Sequence, residues 1–382
     1  MVRFAFFPKA NPAYRTNRAR ATRISETTVY EAMKLKPALR IAAVFVCLPL
    51  LSALAQSPRS QALTRIHFGS CIKQSEPMPI FQTILKEKPE IFLMIGDNIY
   101  ADTEDMDVMR AKYATLNADP GFSLLRGTCP VLATWDDHDF GKNDAGADYP
   151  KKREAQKIFS DFWGDPLSSP RRRREGVYDA HIVGPKDRRV QIILLDTRYF
   201  RGPLKKGKRR TGGPYHPNPD PAVPMLGEAQ WQWLEKQLRK PADLRVIASS
   251  IQFIAEAAGQ ETWSNLPAER RRMIDLIAGT KAGGVVFVSG DRHWSDLSVQ
   301  KEDVPYPLYD LTSSSLNQPH KRGTPTDNRY RAIEKTYHET NYGMLEIDWD
   351  APEPALRFLI TDINGKTRIS KEIRIGDLLS RQ

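Results

Sequence analysis

The sequence is poor in cysteine and lacks the features of repeat and membrane-spanning proteins. Only three of its 382 residues are cysteines, namely Cys47, Cys71 and Cys129. No internal repeat is visible, and no apolar run beyond residue 55 is long enough to span a bilayer. The composition, with 40% hydrophobic residues, also lacks the bias of a disordered chain. These properties predict a globular protein with one large α/β domain or two small ones.

The excess of positive charge lies mainly in the N-terminal segment. The formal net charge is +11, and residues 1–55 supply +7 of it through nine Lys or Arg and two Asp or Glu. The small remainder does not by itself indicate a nucleic-acid partner.

Residues 33–55 have the three parts of a secretory signal peptide. Basic residues from Lys34 to Arg40 precede an apolar segment at 41–51, and small residues follow up to Ala55. We therefore predict that residues 1–32 are an over-called extension, and that cleavage near Ala55 gives an extracytoplasmic protein, periplasmic or secreted. A retained membrane anchor is the alternative. Cys47 lacks the small residues expected before a lipidated cysteine, so a lipoprotein is not predicted.

The segment at 91–102 combines a buried strand with two candidate metal ligands. The apolar run at 91–95 ends at Gly96, and Asp97 and Tyr100 follow it. Residues just past such a strand project into the crevice where open α/β sheets bind ligands. Gly96 permits a sharp turn and leaves room for a bound ion. The alternative is an ordinary turn in which Asp97 caps the next segment.

Four other hydrophobic stretches end in the same way. Their ends carry Cys71, the acidic and imidazole residues at 136–139, Asp196 with Arg198, and Asp291 with His293. Delivery of Asp, His, Cys and Tyr to one sheet edge is typical of a polynuclear metal site. Apolar periodicity predicts intervening helices at 79–89, 104–118, 152–163, 228–240 and 266–277, and a C-terminal hairpin that turns at 364–365.

Two features leave alternatives open. A disulfide between Cys71 and Cys129 is the default in an oxidising compartment, but their positions predict opposite sheet edges, so a ligand role for Cys71 is favoured.

The loop-rich region at 165–224, expected to be interrupted only by a strand at 190–196, carries basic runs at 171–174 and 205–210. These runs are either solvated loop charge or a rim that attracts phosphoanionic substrates.

Together the motifs resemble those of the PhoD-type alkaline phosphatase and phosphodiesterase family, a branch of the calcineurin-like metallophosphoesterases. The resemblance implies an α/β fold with two packed mixed β-sheets flanked by helices. Residues 60–382 would form this catalytic domain. The motifs that carry it occur in the family's order and are Gly-Ser-Cys at 69–71, Gly-Asp-Asn-Ile-Tyr at 96–100, Trp-Asp-Asp-His at 135–138, Leu-Asp-Thr-Arg at 195–198 and Gly-Asp-Arg-His at 290–293.

The resemblance also implies a site of two or three metal ions, Fe(III) and Ca(II). Asp97 would bridge two of them. Cys71, Tyr100 and His293 would complete the Fe(III) side. The Ca(II) side would be completed by Asp137, Asn143 and Asp291.

The same resemblance implies catalytic and supporting roles. His138 would protonate the leaving group, and Arg198 would hold a phosphate oxygen. Asp136 and Asp196 would support the site, although Asp136 in place of Asp137 as the ligand remains open.

The implied activity is metal-dependent hydrolysis of small phosphate monoesters or diesters by a hydroxide held between the metal ions. One alternative is a phosphodiesterase that acts on wall polymer, phospholipid or nucleic acid. Another is a non-catalytic extracytoplasmic binding protein for phosphate esters, which would be expected to lack Asp97, Tyr100 or His138. All three are present. The sequence leaves the oligomeric state open.

Overall fold

The computed structural model of the protein describes residues 61–256, 259–320 and 328–380. The predicted extension, signal peptide and cleavage site therefore lie outside the described residues. Among the residues that are described, no helix has both the length and the apolar character needed to cross a bilayer.

The regular elements alternate along the chain. The strands are β1 Arg65–Gly69, β2 Ile91–Ile95, β3 Val131–Thr134, β4 Asp179–Val183, β5 Val190–Leu194, β6 Lys205–Lys206, β7 Tyr215–His216, β8 Leu244–Ser249, β9 Val285–Ser289, β10 Asp296–Gln300, β11 Leu308–Thr312, β12 Asn341–Asp348, β13 Ala355–Asp362 and β14 Thr367–Arg374. The helices are α1 Ile80–Lys86, α2 Met106–Asn117, α3 Pro120–Thr128, α4 Asp137–Phe140, α5 Lys152–Trp163, α6 Glu228–Leu238 and α7 Pro267–Thr280.

Two six-stranded mixed sheets form the framework. The first has the order β14-β13-β12-β1-β2-β3, in which β1, β2 and β3 are parallel and β12 pairs antiparallel with β1. The second has the order β10-β11-β9-β8-β5-β4, in which β5, β8, β9 and β11 are parallel. The parallel strands place their carboxyl ends at one edge of each sheet.

The apolar strand β2 shows why the sheets are covered on both faces. All five of its residues are buried. Leu93 and Ile95 belong to one hydrophobic cluster with residues of the second sheet. Phe92 and Met94 belong to another cluster with residues of α1, α2, α3 and α5. Alternate side chains thus pack against the opposite sheet and against the helices, which gives the predicted two-sheet α/β sandwich.

Most of the predicted elements are confirmed, and several others were missed. Each of the five predicted helices is present with ends shifted by a few residues, and α5 matches the predicted range at 152–163. The hairpin of β13 and β14 is also confirmed. The structure adds α3 and α4, and it adds β4, β6 and β7 within the region expected to be loop apart from one strand.

Candidate active site

Strands of both sheets deliver the predicted ligands to one place. Cys71 and Asp97 follow β1 and β2 of the first sheet, whereas His293 follows β9 of the second. One ligand atom from each of these three residues lies within 4.8 Å of the others. The same holds for a neighbouring group formed by Asp97, Asp136, Asp137 and Asp291. Asp97 is common to both groups, which is the position predicted for a bridging ligand.

The turns that carry these residues have unusual backbone conformations. Six residues at or beside the site have positive φ although they are not glycines. Each such conformation costs on the order of 1–3 kcal/mol and persists only where the surrounding structure imposes it. The concentration of strain at these strand ends indicates a functional site. The residues and angles are Cys71 58°, Asp97 49°, Asp102 45°, Asp144 56°, Asp291 65° and His293 60°.

Gly96 allows the close approach that forms the carboxylate cluster. Its φ is +110°, and a Cβ atom added there would lie 2.6 Å from Cβ of Asp136 and 3.0 Å from Cβ of Ser250. The glycine therefore makes room for Asp136 against the end of β2. This is a more specific role than the space for an ion that the sequence suggested.

The first group assembles around one oxygen of Asp97. Its Oδ2 lies 3.3 Å from the Cys71 Sγ and 3.4 Å from the Tyr100 hydroxyl. The Tyr100 hydroxyl lies 3.4 Å from Nε2 of His293. A thiolate, a phenolate, an imidazole and a carboxylate suit a redox-capable metal such as iron. The structure thus brings together the four residues predicted to hold the first ion.

His293 is oriented so that Nε2 faces this group. Its Nδ1 lies 2.5 Å from the carbonyl oxygen of Gln318, and its backbone N–H donates to the Ser314 hydroxyl at 2.8 Å. A carbonyl oxygen only accepts, so Nδ1 carries the proton and Nε2 keeps its lone pair. Burial, with a contribution from His320, lowers the pKa of His293 to about 3. The imidazole is therefore neutral and able to bind a metal.

The buried carboxylates carry more negative charge than the neighbouring side chains neutralise. Oδ1 of Asp97, Oδ2 of Asp136 and Oδ1 of Asp137 are buried and have no hydrogen-bond partner among the described residues. Burial, followed by the Asp137 charge, raises the pKa of Asp97 well above its usual range. Burial also raises the pKa of Asp136 to about 6. Uncompensated carboxylates are costly to bury, so this oxygen-rich group fits bound cations such as calcium.

Asp136 and Asp137 differ in their protein partners. Oδ1 of Asp136 accepts hydrogen bonds from Nε of Arg198 and from the Ser250 hydroxyl, both at 2.6 Å. Oδ2 of Asp137 accepts from the backbone N–H of Asp144 at 2.6 Å. Burial acts to raise the pKa of Asp137, but Arg198 and His138 outweigh it and hold that pKa below its usual range. Each aspartate keeps one unpartnered oxygen, so both alternatives remain.

Arg198 is committed to protein carboxylates. It is fully buried, and its Nη1 lies 2.8 Å from Oε2 of Glu261 while its Nε holds Asp136. Asp196 fixes the turn before it, because its Oδ1 accepts from the backbone N–H groups of Arg198 and Tyr199, both at 2.9 Å. The guanidinium is thus directed at the carboxylate cluster.

His138 forms an ion pair that the sequence did not reveal. Its Nδ1 lies 2.7 Å from Oδ1 of Asp102, and its ring centroid lies 4.3 Å from that of Tyr100. Burial acts to lower the pKa of His138, but the hydrogen bond to Asp102 and the charges of Asp97 and Asp137 raise it to about 10. The contact with Asp102 thus favours the protonated imidazole.

Asn143 does not share the buried position of the other predicted ligands. Its side chain is exposed, and its backbone N–H donates to Oδ1 of Asp102 at 3.1 Å. The next residue, Asp144, instead has a carboxylate oxygen within 4.8 Å of ligand atoms of Asp137 and Glu261. A ligand role for Asn143 stays a prediction.

Sequence reasoning missed residues that hold the ligands in place. Oδ1 of Asp139 accepts from the backbone N–H groups of Asp97 at 3.1 Å and Asp136 at 2.7 Å, and so joins two strand ends. Its place at the end of an Asp-Asp-His-Asp run is a signal that could have found it. Glu261 lies in a loop after β8 with no recognisable motif around it, and only the fold brings it to Arg198.

The chain is similar in sequence to proteins of one phosphatase family. A model of the PhoD-like phosphatase family matches residues 66–348. Alkaline phosphatase D of Bacillus subtilis (strain 168) is 23% identical over 263 residues, which is 56% of this chain and 43% of the relative. The chain thus spans less than half the length of that curated relative.

Two solved structures share the fold. The structure of PhoD has 18% sequence identity and a TM-score of 0.61, with 82% of this chain and 73% of that chain covered. GAP50, the anchor in the inner membrane complex of Plasmodium, has 12% identity and a TM-score of 0.53, with 84% of this chain and 90% of that chain covered. At these identities the likeness shows the fold alone.

Proposed function

The chain belongs to the PhoD-like phosphatase family, and from this membership we propose that it hydrolyses phosphate esters in a metal-dependent reaction. The observation that carries the proposal is the group of unpartnered, buried carboxylate oxygens on Asp97, Asp136 and Asp137. Beside it lie the thiol, phenol and imidazole of Cys71, Tyr100 and His293. A binding protein without catalysis would not need this arrangement, so the non-catalytic alternative is disfavoured.

The donor sets divide into two sides that share Asp97. Cys71, Tyr100 and His293 would hold Fe(III), because soft and phenolate donors suit a redox-capable ion. Asp137 and Asp291 would hold Ca(II), with Asn143 completing this side if its loop moves inward. Bound cations of this kind activate water as a nucleophile and neutralise charge on the phosphoryl oxygens.

The protein's own groups supply proton transfer and positioning. His138 pairs with Asp102 and lies beside Tyr100, so its protonated ring can donate a proton to the leaving oxygen. Asp102 holds its Nδ1 and leaves Nε2 available for that donation. Arg198 orients Asp136 and offsets the charge of the cluster. This positioning role replaces the phosphate clamp suggested by the resemblance, because the guanidinium is fully buried among carboxylates.

Residues 60–382 form the catalytic domain in this proposal, and the expected substrate is a small phosphate monoester or diester. The signal-peptide pattern at 33–55 supports an extracytoplasmic location. Comparing turnover of mononitrophenyl and bis-nitrophenyl phosphate separates monoesterase from diesterase activity. A marked preference for the diester would favour the phosphodiesterase alternative.

Asp97→Asn tests the function most directly. Asn lacks the negative charge and the second anionic oxygen that a bridging ligand needs, so metal content and turnover should fall together. We expect several orders of magnitude in rate to be lost. Elemental analysis and nitrophenyl phosphate turnover of the purified proteins measure both effects.

The exposed residue Asp187 provides a matched control. It also has positive φ (69°), but it lies in the exposed turn between β4 and β5, before the amino end of β5. Asp187→Asn should leave metal content and rate unchanged. Near-native turnover and full metal content in Asp97→Asn would refute the shared-ligand arrangement.

A further inference from the structure

A cavity of about 540 Å³ lies between α5 and the loop that follows it, apart from the ligands described above. Glu175 is the one carboxylate among the described residues that line it. The cationic side chains in its lining are Arg153, Lys157, Arg171, Arg172, Arg173 and Arg174. We refer to this feature as the arginine cavity.

The loop of the arginine cavity is held in a fixed conformation. Gln156 is buried, and its Nε2 donates to the carbonyl oxygens of Arg171 and Arg174, both at 2.7 Å. Its Oε1 accepts from the backbone N–H of Gly176 at 3.1 Å. One amide side chain thus fixes both ends of the basic run, so the arginines are positioned before any ligand binds.

The run at 171–174 is only partly the solvated charge that the sequence suggested. Arg171 is 4% exposed, its Nη2 donates to the carbonyl oxygen of Ala133 at 2.7 Å, and its guanidinium stacks on Phe159. Arg174 stacks on the ring of Tyr178, with 3.8 Å from its Cζ to the ring centroid. Both side chains are therefore parts of the folded structure.

Neighbouring carboxylates neutralise only part of this charge. Arg153 pairs with Glu175 at 3.0 Å, and Arg172 pairs with Asp161 at 2.5 Å. Arg171 also lies 3.4 Å from Asp165.

The remaining donors lack acceptors. Lys157 and Arg173 are exposed and form no ion pair within the described part of the chain. The Nε atoms of Arg171 and Arg174 are buried without a hydrogen-bond partner among the described residues. The cavity is thus large enough for an oxyanion, and the exposed cations Lys157 and Arg173 can bind one.

We propose that the arginine cavity binds a phosphate group, either as free phosphate or as one group of a longer phosphorylated molecule. Guanidinium groups match phosphate oxygens in shape and charge, and several can share one anion. None of the proposed metal ligands or catalytic residues lines the cavity, so the proposal does not rest on the proposed function.

The test is equilibrium binding to the metal-loaded protein at low salt. The probes are radiolabelled orthophosphate and a short phosphorothioate oligonucleotide that resists hydrolysis. The Lys157→Ser, Arg173→Ser double variant removes two exposed, unpaired cations and should fold normally. We expect it to weaken binding at one class of site at least tenfold, because charge-assisted contacts are lost.

The matched control is the Lys208→Ser, Arg209→Ser double variant. It removes the same charge from the other basic run, where both residues are exposed, and should leave binding unchanged. The cavity site should also persist in Asp97→Asn, which separates it from the active site. Weakened orthophosphate binding identifies a site for free phosphate, and weakened binding of the oligonucleotide alone identifies a site for a phosphorylated chain. Equal affinities in the two double variants for both probes would overturn the proposal.

Discussion

The role of His138 depends on the carboxylate beside it. Asp102 accepts the Nδ1 proton at 2.7 Å and helps keep the ring protonated. Neither the family motif nor the spacing of the sequence pointed to Asp102, which lies in the loop after β2, whereas His138 lies in α4. Its φ of 45° shows that the backbone is held in a strained conformation to present this carboxylate.

His138→Ala tests whether this imidazole is the leaving-group acid. Alkyl phosphates have poor leaving groups that need a proton, whereas nitrophenolate leaves without one. We expect turnover of an alkyl ester to fall about a hundredfold or more, and turnover of nitrophenyl phosphate to fall much less. Steady-state rates on the two substrates give the comparison.

Asp102→Asn is the companion variant, since it keeps the shape of the acceptor and removes its charge. It should show a smaller loss with the same substrate dependence. Equal losses on both substrates in His138→Ala would instead make His138 a positioning residue.

The pairing of Cys71 with Tyr100 predicts a spectroscopic signature. Thiolate and phenolate donors to Fe(III) give charge-transfer absorption in the visible range, which dithionite should bleach. Tyr100→Phe removes the phenolate oxygen and should shift or abolish the band. Tyr149→Phe, whose hydroxyl donates to the carbonyl oxygen of Thr103, should leave it intact. A colourless, iron-free protein with full activity would exclude the ferric assignment.

Both Cys71 and Cys129 are free thiols in the structure, which agrees with the ligand interpretation.

At the scale of elements, the turn after β2 determines whether the carboxylates can meet. Gly96→Ala would place a methyl group 2.6 Å from Cβ of Asp136 at a φ of +110°. We expect the free energy of unfolding to fall by about 2–4 kcal/mol, because conformational strain and overpacking add. Activity should fall as well, since Asp136 is displaced. Chemical denaturation and turnover measure the two effects.

Gly164 provides the control for backbone strain alone. It has a φ of +75°, and an added Cβ would meet no atom within 4 Å. Gly164→Ala should cost about 1 kcal/mol and leave activity unchanged. If the two variants lost stability equally, the close contact with Asp136 would contribute nothing to the loss of unfolding free energy in Gly96→Ala.

The elements that the sequence could predict are those with strong apolar periodicity. The strands β2 and β9, which precede Asp97 and Asp291, are hydrophobic runs, and α5 and α7 have clear apolar faces. The edge strand β4 could not be predicted in this way, because its five residues are only half-buried and include Asp179 and His181. The helix α3 was missed because it follows α2 after only two residues, although Asp119 caps it and Pro120 begins it.

The candidate site was predictable where ligands follow a strand directly. Supporting residues were not, because they reach the site from loops that only the fold brings near. Glu261 and Gln318 are examples, since each contacts a strand-end residue more than 20 positions away in the sequence. The same applies to Arg171, whose burial depends on packing against Phe159.

At the scale of the whole molecule, the buried His67 links stability to pH. Its side chain is fully buried, and neither ring nitrogen has a partner among the described residues. Burial, with a contribution from Arg65, lowers its pKa to about 4 from the ordinary 6.5. The folded state therefore keeps this ring neutral at a pH where the unfolded chain binds a proton. The stabilisation is complete above pH 6.5 and is lost as the pH falls toward 4.

His67→Phe should remove this dependence while it keeps an aromatic ring in the core. Wild-type protein should lose about 3 kcal/mol more stability than the variant between pH 7 and pH 4. Denaturant unfolding at several pH values measures the difference, and His216→Phe, on the half-exposed strand β7, is the control. Parallel curves of unfolding free energy against pH for wild type and His67→Phe would show that protonation of His67 does not destabilise the folded state.

The division of the ligands between the two sheets has a consequence during synthesis. Cys71 and Asp97 leave the ribosome early, His293 follows about two hundred residues later, and β1 gains its neighbour β12 only when residues 341–348 emerge. A nascent chain therefore carries thiol and carboxylate donors long before it can enclose an ion. Tight metal capture must wait for nearly the whole polypeptide, so premature termination yields fragments that are both metal-free and missing an inner strand pairing.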